Sequence, residues 1–173
     1  LFVTLEAALL AQLEHGERQW KHLLALPAPR SVHYLAKFTA LAGLLLLACA
    51  AFFVLVPLGG WAVMLLKPGF GIGGPPPFAL LAGKFAAIYP AALLIVALHT
   101  WASIRWRSFT VAVSIGMTAT VMGFLIGQSA RFGHWFPWTM PLQVMASEGK
   151  HIDFVIVAGL VGALGVTLAG LID

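Results

Sequence analysis

Charge and hydrophobicity divide this chain into blocks. An apolar stretch over residues 1–13 is followed by a polar, charge-rich one over 14–37. Four runs without a single charged residue then occupy 38–66, 85–104, 108–130 and 154–172. Each run is continuously apolar, with no apolar–polar alternation, and is long enough to cross a hydrocarbon core of about 30 Å as a helix. A spanning strand would alternate, so helices are expected and a barrel is not. The 38–66 run is long enough to cross with tilt, or to bend at Pro57 with Gly59 and Gly60. The second carries Pro90 near its start and could begin as early as Ala79. The third holds Gly116, Gly123 and Gly127, and the fourth Gly159, Gly162, Gly165 and Gly170. Small residues of this kind let helix backbones approach closely inside a membrane.

Residues 1–13 make only about 20 Å of helix at 1.5 Å per residue, too little to span. They are expected to be the surviving end of a longer helix, and the chain a fragment. A cleavable leader is not expected, because no basic leader precedes the apolar stretch and Glu6 interrupts it. The expected fold is therefore all-α: a polytopic helical membrane protein of about four full transmembrane helices plus the C-terminal end of a truncated earlier one. Residues 1–173 form a single membrane domain.

Composition supports the same reading. The chain is 61% hydrophobic and 9% charged, with a mean hydropathy of +0.96, where soluble domains carry about 25% charged residues. The formal net charge is +4 and the pI about 9.7, but Lys and Arg are scattered at the ends of apolar runs. There they meet anionic headgroups, and nucleic acid is not expected as a partner. Cys49, the single cysteine, lies in an apolar run and is expected to pack as a small hydrophobe. Disulfides and cysteine metal sites are excluded.

Orientation follows from the basic residues. With 14–37 on the cytoplasmic side, that side holds Arg18, Lys21, Arg30, Lys37, Arg105 and Arg107, and the other holds Lys67, Lys84, Arg131 and Lys150. The excess is six against four, and it puts 14–37 inside. On the outer side, residues 67–78 (KPGFGIGGPPPF) are too rich in Gly and Pro for a helix. Residues 131–153 carry Trp135, Phe136, Pro137, Trp138 and Pro141. Two readings are open there, a short interfacial or re-entrant segment and an ordinary aromatic-belt loop.

The polar segment 14–37 holds the most information about function. Over 13–26, Leu13, Trp20 and Leu24 share one helical face, and Glu14–Arg18 and Glu17–Lys21 are acid-first i,i+4 pairs, each adding roughly 0.2–0.5 kcal/mol. Gly16 is a weak point in that helix. Pro27 and Pro29 end it, and Ser31 can cap a second helix carrying His33, Tyr34 and Lys37. A short amphipathic helix between breakers either docks into a groove on a partner or lies in the lipid interface. The pattern leaves both open.

The run Glu14, Gly16, Trp20, Lys21, Leu23, Leu24, Leu26, Pro27, Arg30, Tyr34, Leu35, Ala36, Lys37 resembles the loop after the second span of type-two ATP-binding-cassette exporter permeases. The similarity is greatest to the bacitracin and lantibiotic export and self-immunity branch. Shorter likenesses are the turn 103–109 and the aromatic–proline segment 135–141. The chain differs from the family pattern in lacking an amphipathic N-terminal helix, the first span and much of the second. What the resemblance implies is a non-catalytic permease, with no cofactor of its own. It would pair with a second permease subunit (an identical copy or a sister) and with two ATP-binding-cassette ATPase subunits. The loop would be the coupling helix, with Glu14, Glu17, Trp20, Lys21, Leu23, Leu24, Pro27 and Arg30 meeting the ATPase. The implied location is the bacterial cytoplasmic membrane, and the implied cargo a peptide antibiotic, drug or lipid.

Other motifs carry less. Gly69, Gly71 and Gly74 satisfy G-x-G-x-x-G, but Pro75–Pro77 follow where a dinucleotide site needs a helix. No phosphate-binding Gly-Lys-Ser/Thr occurs, so any ATPase is a separate chain. His15, His22, His33, His99, His134 and His151 form no zinc motif. His99, inside a span near Thr100 and Ser103, is read as a neutral imidazole hydrogen-bonded across helices, with a proton path or haem ligation as the functional alternatives. Glu6 is expected to face water, with a subunit interface as the alternative. Arg105–Trp106–Arg107 is expected at headgroups, with a second ATPase contact as the alternative. Met117, Met122, Met140 and Met145 are expected as packing filler. Glu148 and Asp153, flanking Lys150 and His151, are expected in a solvated loop. A different class of function, a membrane-embedded sensor or assembly factor whose loop recruits another cytosolic protein, fits the same segment. A membrane enzyme fits worse, because no acid–base or metal constellation converges.

Overall fold

The computed structural model describes residues 2–7, 9, 30–71, 73–106, 109–129, 131–146 and 151–172. Among these there is no strand, and the helices are α1 (2–7), α2 (Arg30–Leu66), α3 (Phe78–Arg105), α4 (Phe109–Gly127), α5 (Met140–Ala146) and α6 (Ile152–Ile172). Four of them, α2, α3, α4 and α6, are long and apolar enough to cross a membrane. The protein is thus an all-helical, polytopic membrane protein.

Helix bounds differ from the uncharged runs in an instructive way. Helix α2 is 37 residues long and runs unbroken through Pro57, although that proline leaves the Phe53 carbonyl without its helical partner. It already includes Arg30, so Ser31 lies inside the helix and does not cap it. Helix α3 starts at Phe78 and takes in Lys84. Membrane helices therefore extend past the uncharged stretch wherever a long cationic side chain finds a partner. Lys84 does so: its Nζ donates to the carbonyls of Val144 (2.8 Å) and Met145 (3.3 Å), at the C-terminal end of α5, where a helix dipole favours a cation.

Helix α3 is the axis of the bundle. On one face Ala92, Ile95 and Val96 pack with Val3 and Ala7 of α1 and Leu41 and Leu45 of α2. On another, Ala87, Ala91 and Leu94 pack with Met140 and Val144 of α5 and Val155 of α6. Helix α6 makes the most extensive contact with α3, and its glycines explain why. A Cβ on Gly159 would come within 2.6 Å of the Pro90 carbonyl oxygen and 2.9 Å of the Ala91 Cα. Helix α4 meets α3 far more sparsely.

The two connections at the end of the bundle that holds Lys67 and Lys84 are both structured. After α2, Pro68–Phe70 forms one turn of 3-10 helix, and Gly71 and Gly74 take φ of +69° and +102°, which their lack of a Cβ permits. After α4 the chain turns repeatedly over 131–139, with Gly133 donating to the Ser129 carbonyl and Thr139 to that of Phe136. Helix α5 follows, packed against α3 and α6. Of the two readings open for this region, a short interfacial or re-entrant segment and an ordinary loop, the packed helix α5 fits the first. Cys49 is half-buried against the first cluster.

Candidate functional site

Seven of the residues assigned to the coupling loop, Glu14, Glu17, Trp20, Lys21, Leu23, Leu24 and Pro27, lie outside the described residues. The eighth, Arg30, opens α2. What is described is the seat of the helix that leaves this loop. Tyr34, Leu41 and Leu45 with Lys37 form one buried stripe along α2, at the 3–4 residue spacing of a helix face. The Tyr34 hydroxyl donates to the Ala97 carbonyl of α3 at 3.3 Å. Its ring rests where Gly170 has no side chain, 2.6 Å from where a Cβ would stand. One tyrosine, four residues into α2, thereby ties three helices together near the start of the loop-proximal helix.

Next to it lies a buried polar seam on α3. His99, Thr100 and Ser103 are all buried. Thr100 and Ser103 donate to the carbonyls of Val96 and Thr100 in their own helix, both at 2.8 Å, which satisfies them without a partner helix. His99 differs, because its Nε2 shares a 3.0 Å hydrogen bond with Thr4 Oγ1 of α1. Gly116 of α4 faces this pair, and a Cβ there would collide with both side chains. On the other side Trp138 meets the imidazole edge-on, with ring centroids 5.7 Å apart. The expected cross-helix hydrogen bond of His99 is present. Its partner, Thr4, and its aromatic neighbour, Trp138, come from parts of the chain with no sequence signal linking them to it.

Some smaller expectations need correction. Glu6 does not simply face water: its Oε2 is buried and has no hydrogen-bond partner among the described residues, and the same is true of Trp138 Nε1. Of the four methionines expected as filler, Met140 is buried, whereas Met117, Met122 and Met145 are exposed on the outside of the bundle. Trp106 turns back onto Trp101 edge-to-face at 5.6 Å directly after α3 ends.

No group of three or more His, Cys, Asp and Glu gathers among the described residues. Sequence spacing gave no hint of one pair, His134 and His151, whose rings stack at 5.0 Å and 12°. Stacked rings keep their nitrogen lone pairs in separate parallel planes, which is not how two imidazoles grip one ion. Phe154 and Trp135 complete this aromatic cluster. His151, at φ +62°, makes the turn into α6.

These features are a bundle with four helices able to cross a membrane, the first of them, α2, anchored by a tyrosine near its start. Comparison with known proteins gives the same class. The family model described as ABC-2 family transporter protein matches residues 1–126, which takes in the polar loop and α2, α3 and nearly all of α4. Nothing among curated proteins or solved structures matches the chain. The matched region covers well over half of the 173 residues, and the chain therefore belongs to the ABC-2 family of transporters as a multi-pass membrane transport subunit.

Proposed function

We propose that this protein is the permease subunit of an ATP-driven exporter in a bacterial cytoplasmic membrane. In this reading it moves a peptide antibiotic, drug or lipid using ATP hydrolysed by a separate subunit. The observation that carries the reading is the family match over residues 1–126, which begins before the polar loop and continues through three of the four long helices. Family membership implies an ATPase partner. The amphipathic pattern around Trp20 and Leu24, bounded by Pro27 and Pro29, supplies the surface on which that partner docks. A second permease subunit completes the transport path.

Mechanically, the loop leads directly into α2. A push delivered to residues 14–30 reaches Tyr34 within about one turn, and Tyr34 is hydrogen-bonded to α3 and packed against Gly170 of α6. Work done on the loop thus has a short, packed route to the bundle axis. Trp20→Glu combined with Leu24→Glu is expected to abolish co-purification of the ATPase subunit while membrane insertion stays normal. Undiminished capture of the ATPase by the double variant would refute the coupling role.

A further inference from the structure

Just beyond α4 the chain folds around an open recess of about 440 Å³. Its walls are Ile126 near the end of α4, Ser129 after it, and Phe132, Trp135 and Phe136 of the turns that lead to α5. All five come from one stretch, 126–136, so the shape of the recess is set locally.

Three observations decide what it holds. The first is depth. Helix α4 has 19 residues, about 28 Å at 1.5 Å per residue, which matches a hydrocarbon core of about 30 Å. The recess opens where this helix stops, at the end of the bundle that holds Lys67 and Lys84, and so at the level of headgroups. The second is charge. Arg131 is exposed, and its guanidinium lies over the Phe132 ring, 5.4 Å from the centroid. One wall of the recess thus carries a cation, and no acid occurs between 126 and 136. A guanidinium stacked on a ring keeps its forked N–H groups for phosphate oxygens. The third is polarity. Ser129 Oγ accepts from the Phe132 amide at 3.3 Å and retains its own proton to donate. The remaining walls are Ile126 and three aromatic rings, a lining that favours the layer between tails and headgroups.

A ligand that fits has an anionic head and an apolar body. Inorganic phosphate gains nothing from the rings, and a zwitterionic headgroup brings a second cation beside Arg131. We propose that the recess binds one anionic phospholipid, with its phosphate at Arg131 and Ser129 and the first methylenes of its chains against Trp135 and Phe136. The proposal rests on the membrane fold and not on the coupling reading, so either can fail alone.

The test places the permease in nanodiscs that contain either phosphatidylglycerol or phosphatidylethanolamine with a diazirine at the top of one acyl chain. Photolysis and peptide mapping follow. Labelling of Trp135 and Phe136 is expected to be several-fold stronger with phosphatidylglycerol. Arg131→Gln should remove that preference, whereas Lys67→Gln, at the same end of the bundle but outside the recess, should leave it intact. Equal labelling by the two lipids in the unaltered protein would overturn the proposal without recourse to any variant. An undiminished preference in Arg131→Gln, or an equal loss in Lys67→Gln, would overturn it too. So would the absence of label across 126–136 with both lipids, the outcome expected if another protein covers the recess.

Discussion

At the scale of single residues, the contact between Thr4 and His99 deserves the closest test, because it is the one side-chain hydrogen bond described between α1 and the bundle axis. A buried polar atom left without a partner costs about 1–3 kcal/mol, whereas removing both partners together can be nearly neutral. Thr4→Val is therefore expected to lower the melting temperature in detergent, and the double variant Thr4→Val, His99→Leu to recover much of that loss. Thermal unfolding followed by size-exclusion chromatography measures both. Additive losses in the double variant would mean that the two side chains act independently. Neither residue was legible as a pair in the sequence, where they stand 95 positions apart. The polar character of His99 inside a span was legible; the identity of what satisfies it was not.

Among helices, packing is controlled by where a Cβ is missing. Gly159 is pressed against the Pro90 carbonyl and the Ala91 backbone, whereas Gly165, on the same helix, has nothing within 4 Å. Gly159→Ala must push α3 and α6 apart against backbone that cannot rotate away, with an expected loss of about 1–3 kcal/mol. Gly165→Ala should be neutral or stabilising by up to about 1 kcal/mol, since alanine is the better helix former. Equal melting temperatures for the two variants would contradict the packing described for α6. The sequence shows that both glycines suit close approach, but not which one is used, because the spacing of small residues on a helix does not name the opposing surface. The long helices were legible for a stronger reason: hydrocarbon forbids unpaired backbone, so every uncharged run of this length must be helical. Helix α5 was legible only as one of two open readings, a short interfacial or re-entrant segment, because the aromatic and proline residues of 131–153 suit a loop equally well. Pro141 is the second residue of α5, where a missing N–H costs nothing.

For the molecule as a whole, the prediction concerns which end faces the cytoplasm. The excess of basic residues predicts that the end with residues 14–37, Arg105 and Arg107 lies inside, and Gly73 and Arg131 outside. In a Cys49→Ser background, Gly73→Cys and Arg131→Cys are expected to react with a membrane-impermeant maleimide in intact cells, and Trp106→Cys only after lysis. The reverse pattern would turn the 14–37 loop away from any cytosolic ATPase and remove the basis of the exporter assignment.

The geometry of α2 carries a mechanical consequence. Its buried stripe runs from Tyr34 to Leu45, and beyond Cys49 its contacts thin to Phe53 against Phe78 and Phe85 of α3 and a buried Pro57, while Phe52, Leu55, Leu58, Leu65 and Leu66 stand exposed. Leu66 lies about 31 Å from Leu45 at 1.5 Å per residue. A pivot of roughly ten degrees about Leu45 swings the far tip through an arc of about 5 Å, given the same helical rise. A small rocking at the anchored half is thereby magnified into a displacement as long as one helical turn at the opposite membrane surface.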